Sequence, residues 1–215
     1  MTFTARALGA AAALLCLGAS LATAQEPAWE ARVRAVYFDP TNRSDGYGPL
    51  LIPADALHLD ARWIPEADLT YFLTAHWSSE WLLTLPNSQT LTVEHSALGA
   101  ALVLGTFRQL PSMLTLQYDF LPEDALQPYL GLGLNVTLIS DVRLFLPRGG
   151  TLDLDRIRAG PAAQVGFDYR LTGEWYLNAD VKWAMVRPEV RLDGVRLSEV
   201  RIDPLLFGVG LGYRF

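Results

Sequence analysis

From residue 29 onward, apolar side chains fall on every second position in short bursts, and the three-to-four spacing of an amphipathic helix is hard to find. In 29–38, Ala31, Val33, Ala35 and Tyr37 alternate with Glu30, Arg32 and Arg34. In 128–138, Leu130, Leu132, Leu134 and Val136 alternate with Gly131, Gly133, Asn135 and Thr137. The same two-residue rhythm marks 68–75, 81–85, 110–120, 162–171, 175–185 and 205–215, so the pattern predicts eight strands. Short polar or glycine- and proline-bearing connections lie near 76–80, 121–127 and 172–174. Long ones lie near 39–66, 86–109, 139–160 and 187–203. An even number of strands joined alternately by tight turns and long loops predicts an all-β fold, an eight-stranded antiparallel transmembrane barrel.

Alternation alone also fits a soluble sandwich with its polar faces outward. Three features favour the inverse arrangement, with apolar faces toward lipid. The polar faces mix glycine with isolated charges, small residues on those faces suit a narrow lumen, and aromatics gather at strand ends. Trp77, Trp81, Tyr118, Phe120, Tyr129, Tyr169, Trp175, Tyr176, Tyr213 and Phe215 all lie beside a short connection or the C-terminus. They read as one rim of an aromatic girdle. The final strand keeps its pattern to Phe215, as a closing strand must when open backbone edges cannot face hydrocarbon.

Composition narrows the function classes. After the N-terminus no apolar run reaches the ~20 residues of a membrane helix. Lys182 is the only lysine beside sixteen arginines, and 23 acidic residues outnumber the basic ones, which argues against a nucleic-acid partner. Residues 1–24 read as a signal peptide, with Arg6, an apolar stretch and the small-residue ending Ala22-Thr23-Ala24, leaving 25–215 as the barrel domain. Cys16 follows Leu15 where a lipoprotein leader wants a small residue, and its removal leaves no cysteine for a disulfide. His58, His76 and His95 are scattered, Ser96 neighbours His95 only in sequence, and no glycine-serine-glycine elbow occurs. No catalytic residue, metal set or cofactor is therefore expected. The Asp-Gly pairs at 45–46 and 193–194 and the glycines at 148–150 read as turns.

Strand parity assigns candidate lumen residues. Glu30, Arg32, Arg34, Asp119, Asp168, Asp180, Lys182 and Arg214 fall inward toward the short-turn end and form a candidate polar plug. They can act as a barrier to water and ions, as simple charge pairing in a narrow tube, or as both, since unpaired charges there would be costly. Leu57, Leu59, Trp63, Leu82 and Leu206, with Ala184, form a candidate apolar upper lumen. Val209, Leu211, Tyr213 and Phe215 resemble the terminal signal read by the barrel-assembly machinery.

The stretches 65–85, 104–120, 127–137, 159–183 and 200–215 together resemble the OmpW family of outer-membrane proteins. Ser112 stands where that family usually has a second proline. The resemblance implies a narrow, lipid-embedded barrel that admits small hydrophobic ligands, some relatives being linked to alkane uptake, and releases them sideways into the membrane; nothing in the sequence demands more than a monomer. A second expectation is a structural or receptor role, in which the long loops bind partners and nothing passes through.

Overall fold

The computed structural model describes residues 29–46, 53–94, 102–145, 151–192 and 195–215. The candidate leader at 1–24, His95, Ser96 and the turns at 148–150 and 193–194 lie outside these residues. Eight strands form the barrel: β1 (Trp29–Asp39), β4 (Arg62–Phe72), β5 (Trp77–Thr84), β7 (Leu102–Asp119), β8 (Leu126–Phe145), β10 (Ile157–Thr172), β11 (Trp175–Ala184) and β14 (Leu205–Arg214). Each pairs antiparallel with the next. β14 returns to β1 in a register running from Glu30 opposite Arg214 to Asp39 opposite Leu205. The Trp29 amide donates to the Phe215 carbonyl at 2.8 Å and the Phe215 amide to the Trp29 carbonyl at 2.7 Å, so the closing seam extends to the last residue.

The alternation has the expected sense. Val33, Leu132, Leu134, Val209 and Leu211 are exposed on the outer wall, while Glu30, Arg32, Arg34, Asp168 and Lys182 are buried in the lumen. Glycine on the inner face of β14 makes room for these long side chains. A Cβ at Gly210 would collide with Arg34, and one at Gly212 with Glu30.

Six further strands occupy segments expected as loops: β2 (Arg43–Ser44), β3 (Leu57–Leu59), β6 (Asn87–Val93), β9 (Thr151–Leu154), β12 (Glu189–Leu192) and β13 (Val195–Arg201). The barrel strands are also longer than the sequence bursts: β7 begins at Leu102, β8 runs to Phe145, and β10 begins at Ile157. The expected long connections at 86–109 and 139–160 are thus largely strand. A membrane β-strand needs only ~9–11 residues, so the excess of β7 and β8 projects beyond the bilayer. The added strands widen this projection, β3 on β6, β6 on β7, β9 on β8, β12 on β9, and β13 between β12 and β2.

In the projection the pattern turns inside out. Leu57, Leu59, Leu91, Val93, Leu104, Phe107, Leu144, Leu152, Leu154, Val190, Val200 and Ile202 are buried in one apolar core, and charged residues lie outside. A bulge accomplishes the switch. On β8 the inward parity passes from Ile139 to Leu144 across Asp141, whose φ is 48°. Opposite it, Gly105 has φ 141° and lies so close to Arg143 that no side chain fits. Outside, Arg191 donates to Glu189 at 2.7 Å and holds that carboxyl below its usual range.

Candidate functional site

The lumen divides into a charged floor and an apolar upper part. At the floor, Arg32 donates from Nε to Glu30 at 2.8 Å, from Nη1 to Glu80 at 2.7 Å and Thr70 at 2.9 Å, and from Nη2 to Asp168 at 2.6 Å. Arg34 pairs with Asp180 and Asp68, approaches Glu80 at 3.2 Å and Glu66 at 3.2 Å, and donates to Asn178 at 3.0 Å. Lys182 Nζ reaches Glu66 at 2.7 Å, Glu80 at 3.1 Å, Asp68 at 3.4 Å and Asp180 at 3.5 Å. Donors from two strands, β1 and β11, meet carboxylates from β4, β5 and β10 as well as from their own strands, so the cluster ties separate parts of the wall together. Buried charges are tolerated when paired in this way, and unpairing one is strongly destabilising.

At the short-turn end, Arg214 donates to Glu30 at 2.9 Å, its guanidinium 4.3 Å from the Phe72 ring centroid and 4.1 Å from that of Tyr176. Such stacking suits a planar cation. Asp119 also faces the lumen, but it accepts from Ser78 at 3.1 Å and makes no ion pair among the described residues. Seven of the eight candidate plug residues therefore share ion pairs, and Asp119 stands beside them.

Sequence parity overlooked two carboxylates of the floor. Glu66 falls in an expected loop and Glu80 in an expected turn, yet β4 and β5 carry both inward beside Asp68. Extending the alternation back from Asp68, and back from Leu82, would have found them. Asn178 bridges Asp168 at 2.8 Å and the Tyr129 hydroxyl at 3.1 Å, and Arg32 lies 5.7 Å from the Tyr129 ring centroid.

Three assignments are corrected. Tyr129 and Tyr176 do not belong to the girdle; they are buried inside, on the glycine and asparagine parity of β8 and β11. Trp63 does not line the upper lumen. Its parity on β4 is that of Pro65 and Leu69, so it points outward, 65% exposed, against Tyr37 at 5.4 Å. The outer aromatics at the short-turn rim do make contact, with Trp77 to Tyr118 and Trp175 to Tyr213 both at 5.1 Å.

Above the floor lies a cavity of about 30 Å³, walled by Phe38, Ile64, Leu82, Met113, Ala184 and Leu206, with Glu66 at its charged side. Leu57 and Leu59 are buried higher, in the core of the projection. The cavity wall also includes Thr84, Gln109 and Pro111, which border a break in strand pairing. β5 pairs with β7 only as far as Leu83 opposite Ser112, and β6 resumes with Asn87 opposite Gln109. Between them, Thr84 Oγ1 donates to the Pro111 carbonyl at 2.7 Å. Since a strand residue presents its N–H and C=O to the same neighbour, the donor that proline lacks is missing from this seam. Pro86 removes another. Leu83 and Leu85 cover the seam on the lipid side.

A closed antiparallel barrel with leucines outside and ion pairs inside is an integral β-barrel of the outer membrane. Its membership is specific: the chain belongs to the OmpW family, whose model matches residues 51–215. An outer-membrane protein of Sinorhizobium fredii, y4mB, is 35% identical over 194 residues, 87% of this chain and 80% of that protein. The dibenzothiophene metabolism operon protein DoxH of a Pseudomonas species is 25% identical over 210 residues, 94% of this chain and 95% of that protein. The crystal structure of OprG from Pseudomonas aeruginosa superimposes with a TM-score of 0.75 at 24% identity, covering 88% of this chain and 96% of that one. The structure of AlkL in lipid bilayers gives 0.67 at 25% identity, covering 92% and 94%.

Proposed function

We propose that the barrel is a passive route by which small apolar molecules pass from the outer surface into the membrane, leaving sideways through the wall. One observation carries the reading: the apolar cavity ends on a charged floor while its side wall reaches the unpaired seam between β5 and β7. A hydrophobic molecule descending through the lumen meets ion pairs below and leucine-covered lipid beside it. Partition into lipid is favoured by about 25 cal/mol per Å² of apolar surface. The two prolines leave fewer donors to orphan when the seam parts. That DoxH is named for a dibenzothiophene metabolism operon agrees with apolar cargo.

In this reading Glu30, Arg32, Arg34, Asp168, Asp180, Lys182 and Arg214, with Asp119, are the plug that stops water and ions. Leu57, Leu59, Leu82 and Leu206 line the descent, and the protein performs no chemistry. About 30 Å³ admits only one or two water-sized groups, so passage needs side chains to swing aside, and flexible Met113 is well suited. Val209, Leu211, Tyr213 and Phe215, all outward, present the strand read by the assembly machinery.

The test is uptake of a labelled alkane into vesicles whose outer leaflet is lipopolysaccharide. The barrel is expected to accelerate uptake relative to an unrelated eight-stranded barrel. Equal rates for the two would leave the loop-binding role in its place.

A further inference from the structure

Glu66 is 2% exposed and its two oxygens have different fates. Oε1 takes both cations, Lys182 at 2.7 Å and Arg34 at 3.2 Å. Oε2 is buried and has no hydrogen-bond partner among the described residues. Glu66 also lines the cavity, whose apolar walls include Ile64, Leu82, Ala184 and Leu206. Of the other polar side chains that line it, Asn135 and Thr137 bond to each other at 3.1 Å and Thr84 donates to the Pro111 carbonyl, while Gln109 is a neutral amide at the seam. The apolar cavity therefore ends on one unused carboxylate acceptor.

We infer that the ligand this cavity takes is an amphiphile with a neutral hydrogen-bond-donating head, a primary alcohol in the simplest case, whose hydroxyl donates to Glu66 Oε2. This rests on the proposed uptake route and specifies its substrate class. A bare alkane end would leave the acceptor buried and unmet, the arrangement that is most costly for a polar group. An ammonium head would satisfy it, but a cation would have to shed its water on the way through the apolar core of the projection, at far greater cost than a hydroxyl. The cavity of about 30 Å³ accepts a hydroxymethyl group as it stands, and room for the tail comes from apolar lining side chains such as Met113 swinging aside.

The experiment measures equilibrium binding of tritiated 1-octanol and octyl methyl ether to the purified full chain in phosphatidylcholine nanodiscs, corrected for empty discs. The two ligands are close in length and apolarity, but only the alcohol donates. The alcohol is expected to bind about tenfold more tightly. In Glu66→Gln the carboxamide oxygen keeps the Lys182 contact and its NH₂ replaces Oε2; alcohol and ether oxygens both accept from an NH₂, so the alcohol's advantage is expected to disappear. Equal affinities in the wild type, as when a resident water already satisfies Oε2, overturn the inference while leaving the uptake route standing. An unchanged preference in Glu66→Gln overturns it too. If neither ligand binds above empty discs, the uptake route falls as well.

Discussion

Lys182 makes four carboxylate contacts and is buried to 1% exposure. Replacing it by alanine leaves Glu66, Asp68 and Asp180 with Arg34 as their one remaining cation, and Glu80 shared between Arg34 and Arg32. Loss of a buried partner costs about 3 kcal/mol or more, so Lys182→Ala is expected to lower stability by about that much in urea unfolding from lipid vesicles. The double change Asp180→Ala, Lys182→Ala also opens space in the floor and is expected to raise ion conductance in planar bilayers. Conductance equal to wild type would remove the floor from any barrier role. The inward parity of Arg32, Arg34 and Lys182 was readable from two-residue alternation. Their partners were not, because Arg34 meets Asp180 across 146 residues of chain and only the closed stagger of the strands sets which carboxylate faces which guanidinium.

At the scale of elements, the eight strands were readable but their lengths were not. The bursts at 110–120 and 128–138 stop where lipid stops, since beyond that level greasy residues turn inward and polar ones outward. The bulge at Gly105 and Asp141 shifts the parity there, so the alternation continues out of phase and reads as loop. Trp63 was misplaced for a related reason: the strand holding it begins six residues before the alternation was traced. The β5–β7 seam offers its own test. Thr84→Cys with Pro111→Cys places two thiols where a side chain already meets the opposite carbonyl, in a chain whose only other cysteine is Cys16. Oxidation is expected to close the seam and abolish accelerated alkane uptake, and reductant to restore it. Uptake unaffected by oxidation, with cross-linking verified by mass spectrometry, would rule out release at this place.

At the scale of the whole molecule, closure depends on a join between the two ends of the barrel sequence. Trp29 and Phe215 exchange two backbone hydrogen bonds there. Deleting Phe215 removes both, an expected loss of about 2 kcal/mol, together with a lower yield of the heat-modifiable folded band on gels. The inside-out distribution that defines the membrane zone was legible from glycine and charge on the polar faces, because a narrow tube leaves no other place for them. The apolar core of the projection was not, because its residues come from strands that acquire their sense only once the barrel beneath has set their directions.

The solitary amine on the side chains of this polypeptide lies walled within the folded tube. An acylating reagent added to intact barrels should therefore leave position 182 unmodified, whereas the same reagent reaches it readily in the denatured chain. Tryptic mass mapping after timed exposure would then turn that one position into a clock for spontaneous opening, free of competing signals from any other lysine.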